Sequence, residues 1–327
     1  MRRREFLGVL GGAAAAWPLA ASAQPTVQVV GILNSGGADP YALMNKALVR
    51  GISEAGFAEG RQFRVEERFA NGQFERLPDL AVELVRIPVA LLAVPAGETA
   101  ALVAKRATPT IPVVFMVGGD PVKAGLVASL NRPGGNVTGI TIFTLVLAEK
   151  RLELLRELVP SGTLFGVLLN PNNANTENDM RILPAAGRKI GLDVAILLAK
   201  TADEIEQAFA SFAEQRKITA VLVNSDPYFV NRREQIAALA ARYSLPAIYS
   251  LREHAVAGGL ISYGADLTQG YHQVGVLAGR ILKGEKPGDI PVEQPTKFQM
   301  VINLKTAKAL GLDVPQSILV RADEVIE

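Results

Sequence analysis

Gly31-Ile32-Leu33-Asn34-Ser35 and Gly166-Val167-Leu168-Leu169-Asn170-Pro171 are the two stretches on which the reading of this 327-residue chain turns. Each ends an aliphatic run in small and polar residues, as a buried strand does where it leaves a parallel sheet for a loop. The likeness continues downstream. Residues 89–94 answer to 220–223, and Ile111-Pro112-Val113-Val114-Phe115 answers to Leu245-Pro246-Ala247-Ile248-Tyr249. Gly31 stands 81 residues before Pro112, and Gly166 stands 80 before Pro246. A βα series run twice at one spacing predicts an α/β protein of two doubly wound lobes, each on a parallel sheet, with the join near Asn131-Arg132-Pro133-Gly134-Gly135-Asn136. One long sheet is the competing arrangement.

Working outward, strands are expected at 27–33, 63–67, 89–94, 111–116, 137–141, 164–169, 194–198, 220–223, 246–249 and 260–263, with helices in most of the gaps. The first helix is expected to take Asp39 as N-cap and Pro40 as its first residue, and to stop at Gly56. A second long helix is expected over 267–282, ending at Lys283-Gly284. Beyond it a Pro-punctuated run, 287–295, leads to a strand at 298–302. Such a tail suits repeated crossing between lobes.

The first 23 residues read as an export signal. They hold a basic start (Arg2, Arg3, Arg4), an apolar core and Ala21-Ser22-Ala23 as a small-x-small cleavage site before Gln24. Arg3-Arg4-Glu5-Phe6-Leu7 is similar to the twin-arginine motif, with Arg2 where that motif prefers Ser or Thr. Gly11, Gly12, Trp17 and Pro18 would make a poor spanning helix, which argues against an uncleaved anchor. With Arg2, Arg3, Arg4 and Glu5 set aside, the 34 basic and 32 acidic residues become 31 of each. A neutral chain with no later basic cluster offers no footprint for nucleic acid. There is no cysteine, hence no disulfide, thiolate metal site, Cys nucleophile or lipid anchor on an N-terminal Cys. The two histidines, His254 and His272, cannot build a multi-histidine metal centre and leave little for Ser/His/Asp chemistry. No P-loop, G-x-S-x-G, H-E-x-x-H or G-x-G-x-x-G is present. No enzyme activity, cofactor or metal is therefore expected, and an exported chain would work in the periplasm, where there is no ATP or NAD(P)H pool.

Ligands of open parallel sheets lie beyond the carboxyl ends of the strands. The loops there are polar: 34–37, 95–99, 118–121, 170–173, 224–227 and Tyr249-Ser250. Small residues before a helix start present N–H groups that suit a ligand carboxylate. Asp120 and Asp226 hold matching places in the two halves and could face an ammonium group, although an Asp before Pro is equally an N-cap. Ser35, Thr99 and Asn170 are contact candidates that capping or turn chemistry would also explain. Tyr249 and Tyr263 are pocket aromatics or core residues, and His254 and His272 read as structural.

Gly51 to Gly56, Leu77-Pro78-Asp79-Leu80-Ala81, Ile111 to Phe115, Asp120-Pro121-Val122-Lys123-Ala124-Gly125-Leu126-Val127, Arg132 to Gly139, Lys150-Arg151-Leu152-Glu153-Leu154-Leu155, Gly258 to Gly264, and Pro295-Thr296-Lys297-Phe298 with Val301 to Leu304 stand in order along the chain. As a set they resemble the substrate-binding proteins of ABC transporters in the tryptophan/tyrosine-type group, over essentially the whole mature chain. Leu277 departs from the Tyr usual there, and 143–147 is more apolar. The resemblance implies a type I periplasmic binding protein-like fold: two doubly wound lobes on a three-segment hinge. It divides the chain into a signal at 1–23, one lobe of 24–139 plus 264–288, and a second of 140–263 plus 289–327. It implies a monomeric receptor that closes on a small solute, an amino acid or aromatic acid, and delivers it to an ABC permease in the inner membrane. A ligand-sensing partner of a membrane receptor or kinase is the alternative. The implied ligand contacts are Ser35, Thr99, Asp120, Asn170, Asp226, Tyr249 and Tyr263.

Overall fold

The first repeat stretch forms β1 (Gln28–Asn34), whose alternate side chains enter two different cores. Val30 and Ile32 pack with Leu48, Ile52, Tyr271 and Val274, while Val29 and Leu33 pack with Leu77, Leu84 and Ala100. A strand covered on both faces has to be aliphatic almost throughout, which is what makes it legible. β1 is joined by β2 (Phe63–Phe69), β3 (Val89–Ala96), β4 (Val113–Val117) and β5 (Val137–Thr141) in the order β2-β1-β3-β4-β5, all parallel. The second stretch forms β6 (Leu164–Leu169), followed by β7 (Asp193–Leu198), β8 (Ile218–Val223), β9 (Ala247–Tyr249) and β10 (Ile261–Ala265). Their order, β7-β6-β8-β9-β10, repeats the first with β6 in the place of β1. The duplication read from spacing is a duplication of topology.

This computed structural model describes residues 27–215, 217–295 and 297–327. The expected export signal and its cleavage site lie outside the described residues. The helices are α1 (Ala38–Glu54), α2 (Leu77–Arg86), α3 (Glu98–Ala107), α4 (Thr144–Leu158), α5 (Thr176–Lys189), α6 (Ala202–Glu214), α7 (Pro227–Asn231), α8 (Arg233–Arg242), α9 (Arg252–Val256), α10 (Leu267–Leu282), α11 (Leu304–Ala309) and α12 (Gln316–Arg321). None of the helices among the described residues is long and apolar enough to cross a membrane.

The chain crosses between the sheets three times. From β5 it enters α4, whose Ala148, Leu152 and Leu155 pack with Phe165 of the second sheet. From β10 it enters α10, which packs on α1 and the first sheet. It returns past Glu293, which bridges Ile140 and exchanges backbone hydrogen bonds with Gly139 and Thr141 (2.9 and 3.0 Å). A chain that leaves at the carboxyl end of β10 and comes back there can only run away from it again. β11 (Phe298–Asn303) is accordingly antiparallel to β10, and the short β12 (Glu324–Ile326), absent from the sequence reading, pairs parallel to β11. The second sheet is thus not purely parallel.

One cap differs from expectation. α1 begins at Ala38 with Gly37 at the cap position, and Asp39 and Pro40 lie in its first turn, where a carboxylate suits the helix dipole and a missing N–H costs nothing. At the other side of this helix the packing is backbone to backbone. A Cβ on Gly275 would stand 2.0 Å from Leu48 O, and one on Gly51 2.2 Å from His272 O. Gly275→Ala must push α10 off α1, and about 1–3 kcal/mol of stability should be lost. The midpoint of urea unfolding measures this, and an unchanged midpoint would contradict the close packing.

Candidate functional site

The carboxyl ends of β1, β3 and β4 meet those of β6 and β8 across a cleft, the place where doubly wound sheets hold ligands. The cavity there is narrow, with room for about 60 Å³ between the atoms that wall it, well under the roughly 300–1,000 Å³ of open small-molecule pockets. Tyr41, Met116, Ile142, Val230, Leu251 and Leu267 give it apolar walls, and Thr144, Asn173, Asn175 and Ser225 give it polar ones. Its only charged lining side chains among the described residues are Glu98 from the first lobe and Asp226 from the second. No Lys or Arg among the described residues lines it. Tyr41 is held by a stack on Tyr271 (6.0 Å between centroids), whose hydroxyl accepts from Asn34 Nδ2 at 3.2 Å.

Asp226 is the best-placed of the sequence candidates. It caps α7, with Oδ1 accepting from Tyr228 N (2.8 Å) and from Asn170 Nδ2 (2.9 Å), and Oδ2 accepting from Asn173 Nδ2 (2.8 Å). Burial pushes its carboxyl up to about 6 despite these donors. Asn170 acts through Asp226 and also accepts from Asn172 N (3.0 Å). Ser35 is fully buried at the end of β1 and its Oγ has no partner. Thr99 reaches across the cleft, its Oγ1 3.5 Å from Asn172 O, a distance at the limit of a hydrogen bond. Asp120 caps a turn and not a helix: its Oδ1 accepts from Val122 N (2.9 Å) and Lys123 N (3.3 Å). It borders a more open cavity that shares Glu98, Thr144 and Asn175 with the cleft.

Tyr249 and Tyr263 do not line the cleft cavity, and neither do Ser35, Thr99 and Asn170. Tyr249 is buried and stacks on His254, 5.0 Å between centroids and 13° between planes. Tyr263 packs on Phe298 of β11, and its carbonyl accepts from Arg151 Nε at 2.9 Å. The antiparallel return of β11, invisible locally, supplies the partner that takes this ring.

Glu98 and Asn173 sit in loops that the sequence marks as polar without singling either out, Asn175 reads from sequence as turn chemistry, and nothing local singles out Tyr41. Glu98 opens α3 directly after Gly97, whose φ of 98° only glycine adopts readily. Its side chain is nearly buried and Oε2 accepts no hydrogen bond. Burial pushes this carboxyl up; the Asn175 side chain and Gly119 N–H oppose the push, and Asp179 and Asp120 add to it. Nearby, burial raises Asp179 to about 6, against Asn224 Nδ2 (2.6 Å) and the charge of Arg151. The lobes touch around this rim. Gly37 N donates to Asn231 Oδ1 at 3.1 Å, and Pro227 packs over Gly97. Among the described residues no group of three or more His, Asp or Glu could hold a metal ion.

Comparison with known proteins agrees with this geometry. A curated relative, the tyrosine-binding protein of Clostridioides difficile, is 28% identical over 267 residues, covering 82% of this chain and 76% of its own. A structure described as an ABC domain in complex with L-Trp, from Streptococcus pneumoniae, is 26% identical, covers 92% of this chain and 100% of its own, and superposes with a TM-score of 0.84. A ligand-free, open substrate-binding protein with adhesive properties from Clostridium difficile is 25% identical over 92% of this chain and 99% of its own, with a TM-score of 0.66. The family described as ABC transporter substrate binding protein matches residues 27–326, and the chain belongs to that family, in a fold of the type I periplasmic binding proteins.

Proposed function

We propose that the protein is a periplasmic receptor that closes on an amino acid or aromatic acid and hands it to an ABC permease without changing it chemically. The observation that carries this reading is the cleft itself. Two lobes with repeated topology bring their strand ends together around a cavity with apolar walls, a stacked Tyr41 and carboxylates that suit an amine. Named ligands of relatives, L-Trp in one and tyrosine in another, are of this class. Identity and coverage are nearly equal for the L-Trp complex and the open, ligand-free relative, yet the TM-score is 0.84 for the first and 0.66 for the second. Lobe placement is the natural source of that gap, so the arrangement described here is the closed one.

The lobes divide near the three crossings, as 24–139 plus 264–288 and 140–263 plus 289–327 with two bounds a few residues early: Gly264 and Ala265 still pair with β11, and Ile290 and Glu293 still bond β5. Of the sequence candidates only Asp226 is part of the cavity wall; Asn170 helps hold it there, Ser35 and Thr99 lie beside the wall, and Asp120 lies at the rim. The basic, apolar and small-residue regions of 1–23 support export with cleavage after Ala23, by the twin-arginine route. Mass spectrometry of the solute that co-purifies with gently isolated protein, followed by calorimetric titration with L-tyrosine and L-tryptophan, tests the reading. An aromatic or other amino acid is the expected result. Recovery of a sugar, with no heat from either amino acid, would reject it.

A further inference from the structure

Two carboxylates face the cleft, and only one of them is free to receive a solute. Both oxygens of Asp226 are already engaged, by Asn170, Tyr228 N and Asn173. The nearby Asp179 accepts from Asn224. Glu98 differs: it is more than nine-tenths buried and lines the cavity, and although the Asn175 side chain and the Gly119 N–H favour its charged form, its Oε2 accepts no hydrogen bond. Across from it stands Asn175 of the second lobe. The point where a Cβ on Gly119 would sit lies 2.2 Å from both Glu98 Oε2 and Asn175 Oδ1. Two acceptor oxygens, one from each lobe, therefore converge beside a residue that has only hydrogen on that side. A buried acceptor left without a donor is costly, and no Lys or Arg side chain among the described residues lines the cavity to supply one.

We propose that Glu98 selects for a primary ammonium group on the solute, with Asn175 completing the contact when the lobes meet. The assignment rests on the receptor reading above and names the part of the solute that this carboxylate recognises. An ammonium carries three N–H donors and a positive charge, so it can satisfy Glu98 Oε2 and Asn175 Oδ1 together and neutralise the carboxylate in a dry cleft. A neutral hydroxyl has one donor and no charge. The ammonium would also tie the first lobe to the second, which makes it a ligand group that favours closure.

The test is calorimetric titration of the wild-type protein and Glu98→Gln with two matched pairs: L-tryptophan with indole-3-propionate, and L-tyrosine with 3-(4-hydroxyphenyl)propionate. Within each pair only the amine differs. Wild type should prefer the amine-bearing member, and Glu98→Gln should weaken that member by about 100-fold or more while leaving the deaminated acid within about threefold. A melting curve on the same samples separates loss of contact from loss of fold, and Glu98→Asp, which keeps the charge on a shorter arm, should recover part of the preference. An unchanged affinity for the amino acids in Glu98→Gln, or an equal loss for both members of a pair, overturns the assignment. Wild type that binds the deaminated acids as tightly as the amino acids overturns it too, while the receptor reading stands. No binding of any of the four overturns both.

Discussion

Asp226→Ala should lower the free energy of unfolding by about 3–5 kcal/mol and weaken solute binding along with it. The variant loses the cap of α7, worth about 1 kcal/mol. It also strips the acceptor from Asn170 Nδ2 and Asn173 Nδ2, and each buried donor left unpaired costs about 1–3 kcal/mol. Asp226→Asn is the finer probe. From sequence alone this change looks harmless to folding, because Asn caps as well as Asp. In the structure both carboxylate oxygens are acceptors, so an amide at this position must turn its NH₂ toward the NH₂ of Asn170 or Asn173. A loss of about 1–3 kcal/mol is expected even without solute. Urea unfolding of both variants decides the matter, and a loss below about 1 kcal/mol for Asp226→Ala would show that the amide network is not held by this carboxylate.

The same residue shows where sequence reading succeeds and where it stops. Asp226 was legible as a cleft residue because it follows an aliphatic run and precedes Pro227, so strand end and helix start are both written locally. The strands of both sheets were legible for a related reason: β1 and β6 are covered on two faces and must be aliphatic almost throughout. β12 was not, since three residues on a sheet edge need no pattern and its pairing depends on β11 running backward. Glu98 has a complete local explanation as a carboxylate in the first turn of a helix. Its second-lobe neighbour is Asn175, at the cap position of α5, brought there by a fold that no short window contains. Asn173 and Asn175 look like turn residues for the same reason. Tyr263 reads from sequence as either a pocket aromatic or a core residue, and the direction of its ring is decided by Phe298.

His254→Phe should uncover a rise in stability between pH 7 and pH 5 that the wild-type protein nearly hides. Burial raises Asp179 and Asp226 from about 3.8 to about 6, and it raises Glu98 and Glu253 in the same direction. A carboxyl with a folded pKa above its unfolded one binds more protons in the native state, so its contribution to stability grows as pH falls through the folded pKa. For the two aspartates together this is about 2–3 kcal/mol from pH 7 to pH 5. His254 has the opposite sign. Burial lowers it from 6.5 to about 4, so the unfolded chain takes up its proton first, and stability falls by about 2 kcal/mol over the same range. The groups facing these sites do not reverse the signs: Arg151 only moderates Asp179, and Tyr41 stays neutral beside Asp226 because burial raises it further. The exposed Glu285, held down by Arg280, is screened by solvent. Phe keeps the stack on Tyr249 and removes two ring nitrogens that have no hydrogen-bond partner. Urea unfolding at pH 7 and pH 5 should therefore give nearly equal free energies for the wild type and a gain of about 2 kcal/mol at pH 5 for the variant. An equally flat pair in His254→Phe would mean that the cleft carboxylates are not raised. If they are raised, protons and a cationic solute compete for the same oxygens, so affinity for an amine-bearing ligand should fall as pH drops from 7 to 5 while the empty protein grows no less stable.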